Sequence, residues 1–238
     1  MSLSRKVVAE ALGTMLLLAA VVGSGIMGER LSGGNVAIAL LANSIATGAT
    51  LVAIILAFGG ISGAHFNPAV TIAVAMERGL KWTEVPAYML GQLVGGLSGV
   101  ATAHIMFGEP IFVASQHVRA GGAQVFSEFI ATFGLLSVIW GCSRIRSEAL
   151  PFAVGAYITG AYWFTASTSF ANPAVTLARS FTNTFSGIRP ADAPAFIIAQ
   201  LIAAVAATWI WAWLSPSLPE IAKDVIVSHS ERKSVHGR

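Results

Sequence analysis

The chain has 238 residues, of which 55% are hydrophobic and only 11% are charged. A typical soluble domain carries about 25% charged residues, and the mean hydropathy of this chain is +0.73. The composition therefore argues against a water-soluble enzyme and predicts a membrane protein. The formal charge of +3 does not indicate a nucleic-acid partner, because the basic residues lie in short clusters beside apolar runs, as they do at membrane flanks.

Six membrane spans are predicted from the apolar segments. A bilayer-spanning helix needs about 20 apolar residues, and segments of that length lie near 7–28, 36–59, 85–107, 124–142, 150–168 and 194–214. The charge-free stretches 31–76 and 149–178 are too long for one span, so each is predicted to hold a full helix and half of another. Irregular backbone at membrane depth is tolerated where it is buried in protein or lines a watery cavity, which indicates a pore or a substrate site.

The distribution of basic residues predicts that both chain ends are cytoplasmic. With this orientation the outer side holds only Arg30, Arg119, Arg179 and Arg189, and the inner side holds Arg5, Lys6, Arg78, Lys81, Arg144, Arg146, Lys223, Arg232, Lys233 and Arg238. Trp209, Trp211 and Trp213 are predicted to anchor the last span at the inner headgroup boundary. Residues 216–238 are predicted to form a polar cytoplasmic tail.

A sequence repeat divides the chain into two halves. The segment NPAVTIA at 67–73 recurs as NPAVTLA at 172–178, Glu10 is matched by Glu128, and Gln92 is matched by Gln200. The small residues Gly91, Gly95 and Gly99 are likewise matched by Ala199, Ala203 and Ala207, which predicts two close-packed helix contacts. Because each half has three spans, the halves lie in opposite senses across the membrane. Residues 1–118 and 119–215 are therefore predicted to be two inverted repeats.

The Asn-Pro-Ala tripeptides predict the start of a helix. Asn is a favoured N-cap and Pro is favoured at the first helical position, so Asn67 and Asn172 each begin a half-helix. In an inverted repeat the two N-termini face each other, and their dipoles disfavour cations and excess protons at the centre. The Asn side-chain amides are then expected to donate hydrogen bonds to a passing oxygen. This pattern favours a neutral hydroxylated solute.

These residues, with the lead-in GISGAHFN at 60–67, resemble the aquaporin and aquaglyceroporin family over roughly 9–207. The resemblance implies an all-α, right-handed bundle of six transmembrane helices with two re-entrant half-helices. It also implies one pore per subunit, a homotetramer in the lipid bilayer, and passive flow without catalysis, cofactor or bound metal. The expected pore centre consists of Asn67, Pro68, Ala69, Asn172, Pro173 and Ala174.

Family members select solutes at an outer constriction of four positions, carried over here by their distance from the two Asn residues. They fall on Thr47, Gly160, Ser169 and Val175. Water-selective members have a large aromatic residue at the first and His at the second, and nearly all members have Arg at the fourth. This chain has none of these three, so the filter is expected to be wide and weakly polar.

Arg179 lies one turn beyond Val175 on the same helical face. We expect its side chain to extend to the outer surface, because charge within a span is costly; the alternative is that it reaches back toward the mouth. The stretch 174–188 further resembles bacterial aquaglyceroporins associated with arsenic resistance. That resemblance implies an inner (plasma) membrane location and adds neutral trivalent arsenic and antimony hydroxides, and methylated arsenicals, to glycerol, urea and water as solutes.

Two intramembrane carboxylates, Glu10 and Glu128, by themselves suggest ion or proton handling. The resemblance instead implies that they accept hydrogen bonds from the re-entrant loops, with Gln92 and Gln200 beside them as bracing residues. His65 is expected at the inner vestibule, where it either braces the loop or contacts solute.

The main hypothesis is therefore a passive pore for small uncharged solutes wider than water. A secondary transporter is the alternative from another class, since it also uses inverted repeats and broken helices, but no charged pair is placed where coupling ions would bind. A second alternative is a leaky pore that also passes weak acids or oxyanions, because Val175 leaves the filter without its fixed charge.

Overall fold

The computed structural model describes residues 1–215, apart from the side chains of Arg144 and Ile145. The predicted tail 216–238 lies outside the described residues. Regular structure in the described part is helical: α1 (Leu3–Leu31), α2 (Val36–Ser62), α3 (Pro68–Met76), α4 (Val85–Phe107), α5 (Gly122–Ile145), a 3₁₀ turn (Ser147–Ala149), α6 (Leu150–Phe164), α7 (Pro173–Arg179) and α8 (Ala193–Leu214). The predicted all-α class is confirmed.

Five of these helices are long and apolar enough to cross a membrane: α1, α2, α4, α5 and α8. The span predicted over 150–168 differs, because α6 has only 15 residues and ends at Phe164. At about 1.5 Å per residue it is roughly 22 Å long, less than the ~30 Å hydrocarbon core. The backbone becomes extended at Thr165, since the chain must turn back here to reach Asn172.

Glycines on α4 allow α1 and α4 to pack closely. A Cβ at Gly95 would lie 2.1 Å from the carbonyl oxygen of Ala11, and one at Gly99 would lie 2.4 Å from that of Met15. The backbones therefore approach to a distance that a larger residue at these positions would prevent. In the second half α5 packs against α8, where Ala199, Ala203 and Ala207 are buried.

The outer face of the bundle is apolar, as expected for contact with lipid. Many large hydrophobic side chains on the long helices are exposed, including Val8, Leu12, Leu16, Ile45, Leu56, Leu90, Val94, Ile198 and Ile202. Trp209 and Trp213 are also exposed, whereas Trp211 packs against the core beside Gly141. The anchoring of the three tryptophans at the inner headgroup boundary stays a prediction.

The two short helices, α3 and α7, are the predicted half-helices. Each of the long charge-free stretches divides into a longer helix and a shorter one, α2 followed by α3 and α6 followed by α7. Both half-helices pack against α4 and α8 and contact each other. The bundle thus buries two helix N-termini at one place.

Candidate functional site: a central cavity between two half-helices

The N-termini of α3 and α7 are joined by reciprocal hydrogen bonds. The Oδ1 atom of Asn67 accepts from the Ala69 N–H at 2.9 Å, and that of Asn172 accepts from the Ala174 N–H at 2.9 Å. Asn67 Nδ2 donates to the Ala171 carbonyl at 2.8 Å, while Asn172 Nδ2 donates to the carbonyl of the residue before Asn67 at 2.7 Å. Since each Nδ2 carries two hydrogens, one N–H on each Asn side chain is left to face a solute.

The segments leading into both half-helices have an unusual backbone. Ala64 and Phe66 have positive φ angles of 50° and 48°, and the matching residues Ser169 and Ala171 have 52° and 48°. Left-handed backbone is uncommon and costly for residues other than glycine, and it persists where surrounding contacts fix it. The two loops are therefore held in a strained conformation that aims backbone groups at the centre.

Glu10 supplies those contacts in the first half. It is fully buried, and its Oε1 accepts from Ser62 Oγ at 2.6 Å and from the His65 N–H at 3.0 Å. Its Oε2 accepts from the Phe66 N–H at 2.6 Å and from Gln92 Nε2 at 2.8 Å. One carboxylate from α1 thus satisfies two backbone N–H groups of a loop that has no helical partners for them.

Glu128 occupies the matching position in the second half. It accepts from the N–H groups of Phe170 at 2.9 Å and Ala171 at 2.8 Å, and from Gln200 Nε2 at 2.6 Å. Gln200 Nε2 also donates to Thr176 Oγ1 at 2.9 Å. Both carboxylates thus accept hydrogen bonds from the re-entrant loops, as the bracing alternative predicts.

A cavity of about 80 Å³ extends past the two Asn side chains. Its apolar wall comes from α1, α2, α5 and α6 and includes Leu17, Val21, Leu51, Ile55, Leu135, Ile139, Val154 and Ile158. Polar groups on its lining belong to Thr47, His65, Asn67, Tyr162, Ser169, Asn172 and Arg179. Pro68, Ala69, Pro173 and Ala174 are buried and are not among its lining residues, so these four members of the expected pore centre shape the helix starts behind it.

Three of the four expected filter residues lie on this cavity, namely Thr47, Ser169 and Val175. Gly160 does not, and this expectation is wrong. It is exposed on α6, and a Cβ built on it would meet no atom within 4 Å. The cavity face of α6 repeats every four residues at Leu150, Val154, Ile158 and Tyr162, so a residue two positions from Ile158 points away from it.

Tyr162 takes the place expected for Gly160. Its phenol oxygen lies 3.2 Å from Thr47 Oγ1, within hydrogen-bond distance, and its side chain is buried. The hydrogen bond joins α6 to α2 beside the cavity. A glycine was expected to leave this side of the filter open. Tyr162, one half-turn further along α6, instead places a large side chain there.

The second correction concerns Arg179. Its side chain was expected at the outer surface, but the residue is only 1% exposed and lines the cavity. The guanidinium carbon lies 3.4 Å from the centroid of the Phe170 ring, and Nε donates to the Ser186 carbonyl. The side chain therefore lines the cavity and does not extend to the outer surface, and its place at the mouth of a pore stays a prediction.

His65 lies on the cavity beside the first motif. Its Nδ1 is 3.0 Å from Thr71 Oγ1, and its ring packs against Tyr88 with 5.3 Å between centroids. Its N–H is already bound to Glu10. The ring therefore borders the cavity and is hydrogen-bonded to the first half-helix, and contact with solute stays a prediction.

Sequence reasoning missed Tyr162 and Phe170. The four-residue spacing of Leu150, Val154, Ile158 and Tyr162 is a helical stripe that indicates Tyr162, whereas distance along the chain from Asn172 indicates Gly160. For Phe170 no sequence signal was available, because its ring contacts Arg119 and Arg179 from different parts of the chain.

The fold and the cavity define a helical, multi-pass membrane protein built around two opposed half-helices. The family described as Major intrinsic protein matches residues 1–148. Aquaglyceroporin AqpS of Rhizobium meliloti (strain 1021) is 55% identical over 220 residues, covering 92% of this chain and 94% of that protein. Nodulin-26 of Glycine max is 30% identical over 223 residues, covering 87% of this chain and 76% of that protein.

The fold also matches a solved structure, the X-ray structure of the aquaglyceroporin from Plasmodium falciparum, with a TM-score of 0.71. The match covers 91% of this chain and 99% of that chain at 20% identity. The chain belongs to the major intrinsic protein family. The aquaglyceroporins of this family are passive channels for small solutes such as glycerol and water.

Proposed function

We propose that this protein is a passive channel for small uncharged solutes wider than water. Glycerol, urea and water are candidate solutes, together with neutral trivalent arsenic and antimony hydroxides and methylated arsenicals. The observation that carries the proposal is the cavity itself, in which polar groups on the half-helix loops face an apolar wall from the long helices. A solute with hydroxyl groups on a compact skeleton fits both sides of such a passage.

The polar groups can replace the water that a solute leaves behind. Asn67 and Asn172 each keep one free N–H, as described above. Ser169 is buried and lines the cavity, and its Oγ has no hydrogen-bond partner among the described residues. A buried hydroxyl without a partner is costly, so a passing hydroxyl group that bonds to Ser169 lowers the free energy of both groups.

The arsenic and antimony solutes rest on a different argument. Their neutral hydroxides carry several O–H groups around a compact centre, as glycerol does, and the stretch 174–188 resembles arsenic-associated aquaglyceroporins. Val175 supports this extension because it leaves an apolar side chain on the cavity where nearly all family members carry a guanidinium. A methyl group on arsenic would then meet an apolar contact at this position.

The charge pattern favours a channel over an ion-coupled transporter. No Asp or Glu is among the described residues that line the cavity, and Glu10 and Glu128 are occupied by loop N–H groups. Coupling to Na⁺ or H⁺ needs a group that binds the ion near the solute site. Uptake that saturates and follows an ion gradient would contradict this proposal.

Stopped-flow light scattering on proteoliposomes tests the function. Vesicles are challenged in turn with sucrose, glycerol, urea and a neutral arsenic hydroxide, and protein-free vesicles are the control. Fast shrinkage followed by fast re-swelling with the permeant solutes, but not with sucrose, is expected. Rapid water flow without re-swelling in any solute would mean that the filter passes only water, and the proposal would be wrong.

We also propose the arrangement in the membrane. Residues 1–118 and 119–215 act as inverted repeats, a division supported by the matched contacts of Glu10 with Gln92 and of Glu128 with Gln200. Both termini lie in the cytoplasm, the protein resides in a bacterial inner membrane, and four copies form a homotetramer. Labelling of cysteines introduced at each terminus, in intact and opened cells, tests the orientation, and the mass of the detergent-extracted complex tests the tetramer.

A further inference from the structure

We propose that Arg179 supplies the fixed positive charge of the filter from one turn beyond the usual position, and that this charge keeps cations out of the channel. The inference rests on the proposed channel function and adds a residue that determines its selectivity. It also changes the expectation drawn from Val175, because a filter without Arg at that position still has a guanidinium on its wall.

The guanidinium of Arg179 is fixed in place. Its carbon lies 3.4 Å from the centroid of the Phe170 ring, a cation–π contact, and its Nε donates to the Ser186 carbonyl. Ser186 is itself anchored, since its Oγ donates to the Val21 carbonyl of α1 at 3.0 Å. Arg179 also ends α7, where the helix dipole favours a positive side chain. These contacts hold the charge at the cavity and away from the outer surface.

Among the described residues no acid forms an ion pair with Arg179, although Glu128 attracts it from beyond ion-pair distance. The ion pairs among the described residues join Lys6 to Glu84, Arg30 to Glu109 and Arg189 to Asp192, and none involves Arg179. Arg119 adds a second positive charge close by, with its guanidinium carbon 5.1 Å from the centroid of the Phe170 ring. The end of the cavity at Arg179 is therefore positive.

A cation that enters the cavity must pass this charge in surroundings of low dielectric constant, where like charges repel strongly. A neutral solute is not repelled. It can instead accept hydrogen bonds from the Nη groups of Arg179, because this residue lines the cavity and only its Nε donates to another described residue. One side chain thus discriminates by charge while it replaces part of a solute's hydration shell.

Two variants remove the charge in different ways. Arg179→Leu deletes it, and Val175→Glu neutralises it while leaving the Arg179 side chain in its packing position, because residues four apart on a helix lie side by side. Arg189→Gln is the matched control. Its side chain is half exposed and pairs with Asp192, so the variant changes the same charge outside the cavity.

The measurement is the ratio of K⁺ flux to glycerol flux in proteoliposomes. We expect the ratio to rise about tenfold or more in both cavity variants, which corresponds to a barrier lower by about 1.4 kcal/mol, and to stay unchanged in Arg189→Gln. If Arg179→Leu passes no glycerol, the ratio in Val175→Glu decides the question. If the variant passes glycerol as fast as the wild type does and the flux ratio is unchanged, the role of Arg179 is overturned while the channel function stands. If vesicles with the wild-type protein pass no glycerol, the channel function itself is overturned.

Discussion

Replacing Glu10 with Gln tests whether one buried carboxylate holds the first half-helix loop. The change converts one oxygen into an NH₂ group. Oε1 accepts from Ser62 and His65, and Oε2 accepts from Phe66 and Gln92, so with either choice the new NH₂ group faces a backbone N–H, that of His65 or that of Phe66. A loss of stability is therefore expected whichever way the new amide turns.

The magnitude follows from these contacts. Hydrogen bonds to charged groups contribute about 1.5–3 kcal/mol each, and interhelical polar contacts in membrane proteins measure lower, up to about 1.7 kcal/mol. Gln92 can also turn its amide, because its Oε1 has no partner among the described residues; the Phe66 N–H then stays unpaired and the hydrogen bond from Gln92 Nε2 to Thr71 Oγ1 is lost. We expect Glu10→Gln to lower the free energy of unfolding by about 2–4 kcal/mol.

Unfolding in mixed detergent micelles, followed by circular dichroism, measures this loss. Glu109→Gln is the control, since its partner Arg30 is half exposed and exposed ion pairs contribute only about 0.2–1 kcal/mol. Glu128→Gln should cost less than Glu10→Gln, because Glu128 accepts three hydrogen bonds and Glu10 accepts four. Equal losses for Glu10→Gln and Glu109→Gln would refute the reasoning.

Three further predictions concern packing, selectivity and acid stability. Gly95→Ala should destabilise the protein by about 1–3 kcal/mol, because the new Cβ would lie 2.1 Å from a backbone oxygen of α1. Gly60→Ala is the control and should not destabilise it, since a Cβ at Gly60 would meet no atom within 4 Å. Thermal unfolding in detergent compares the two variants. Tyr162→Ala should raise the flux of glycerol relative to that of water, and Gly160→Ala should leave this flux ratio unchanged. Stopped-flow light scattering measures the ratio for both variants, and similar shifts in the two would contradict the assignment of Tyr162 to the filter. A hydrogen bond from Arg189 lowers the pKa of the Asp192 carboxyl below its ordinary value of 3.8. The ionised carboxylate therefore stabilises the folded protein above pH 3.8, and this stabilisation is lost as the pH falls through the lower pKa of the folded state. Asp192→Asn should therefore make thermal stability less dependent on acid pH, and an unchanged pH profile would contradict this.

Much of the fold was predictable because its signals are local. The length of a charge-free segment decides whether it can span a bilayer, and an Asn-Pro pair begins a helix through its own backbone geometry. The half-helices at Asn67 and Asn172 followed directly. The contacts of Glu10 and Glu128 with the loops were implied by the family resemblance, and the matched positions of the two residues supported it.

Which side chains border the cavity was decided by the tertiary structure. The face that α6 turns inward depends on its packing against α2 and α5 and on where the chain leaves it at Phe164, so Tyr162 and not Gly160 reaches the cavity. The position of Arg179 depends on Phe170 and Ser186, which reach it only when the outer loops fold over α7. The sequence by itself thus determined five of the six predicted spans and both half-helices. The tertiary structure decided the filter, because the rotation of a helix and the direction of a long side chain are set by contacts between distant segments.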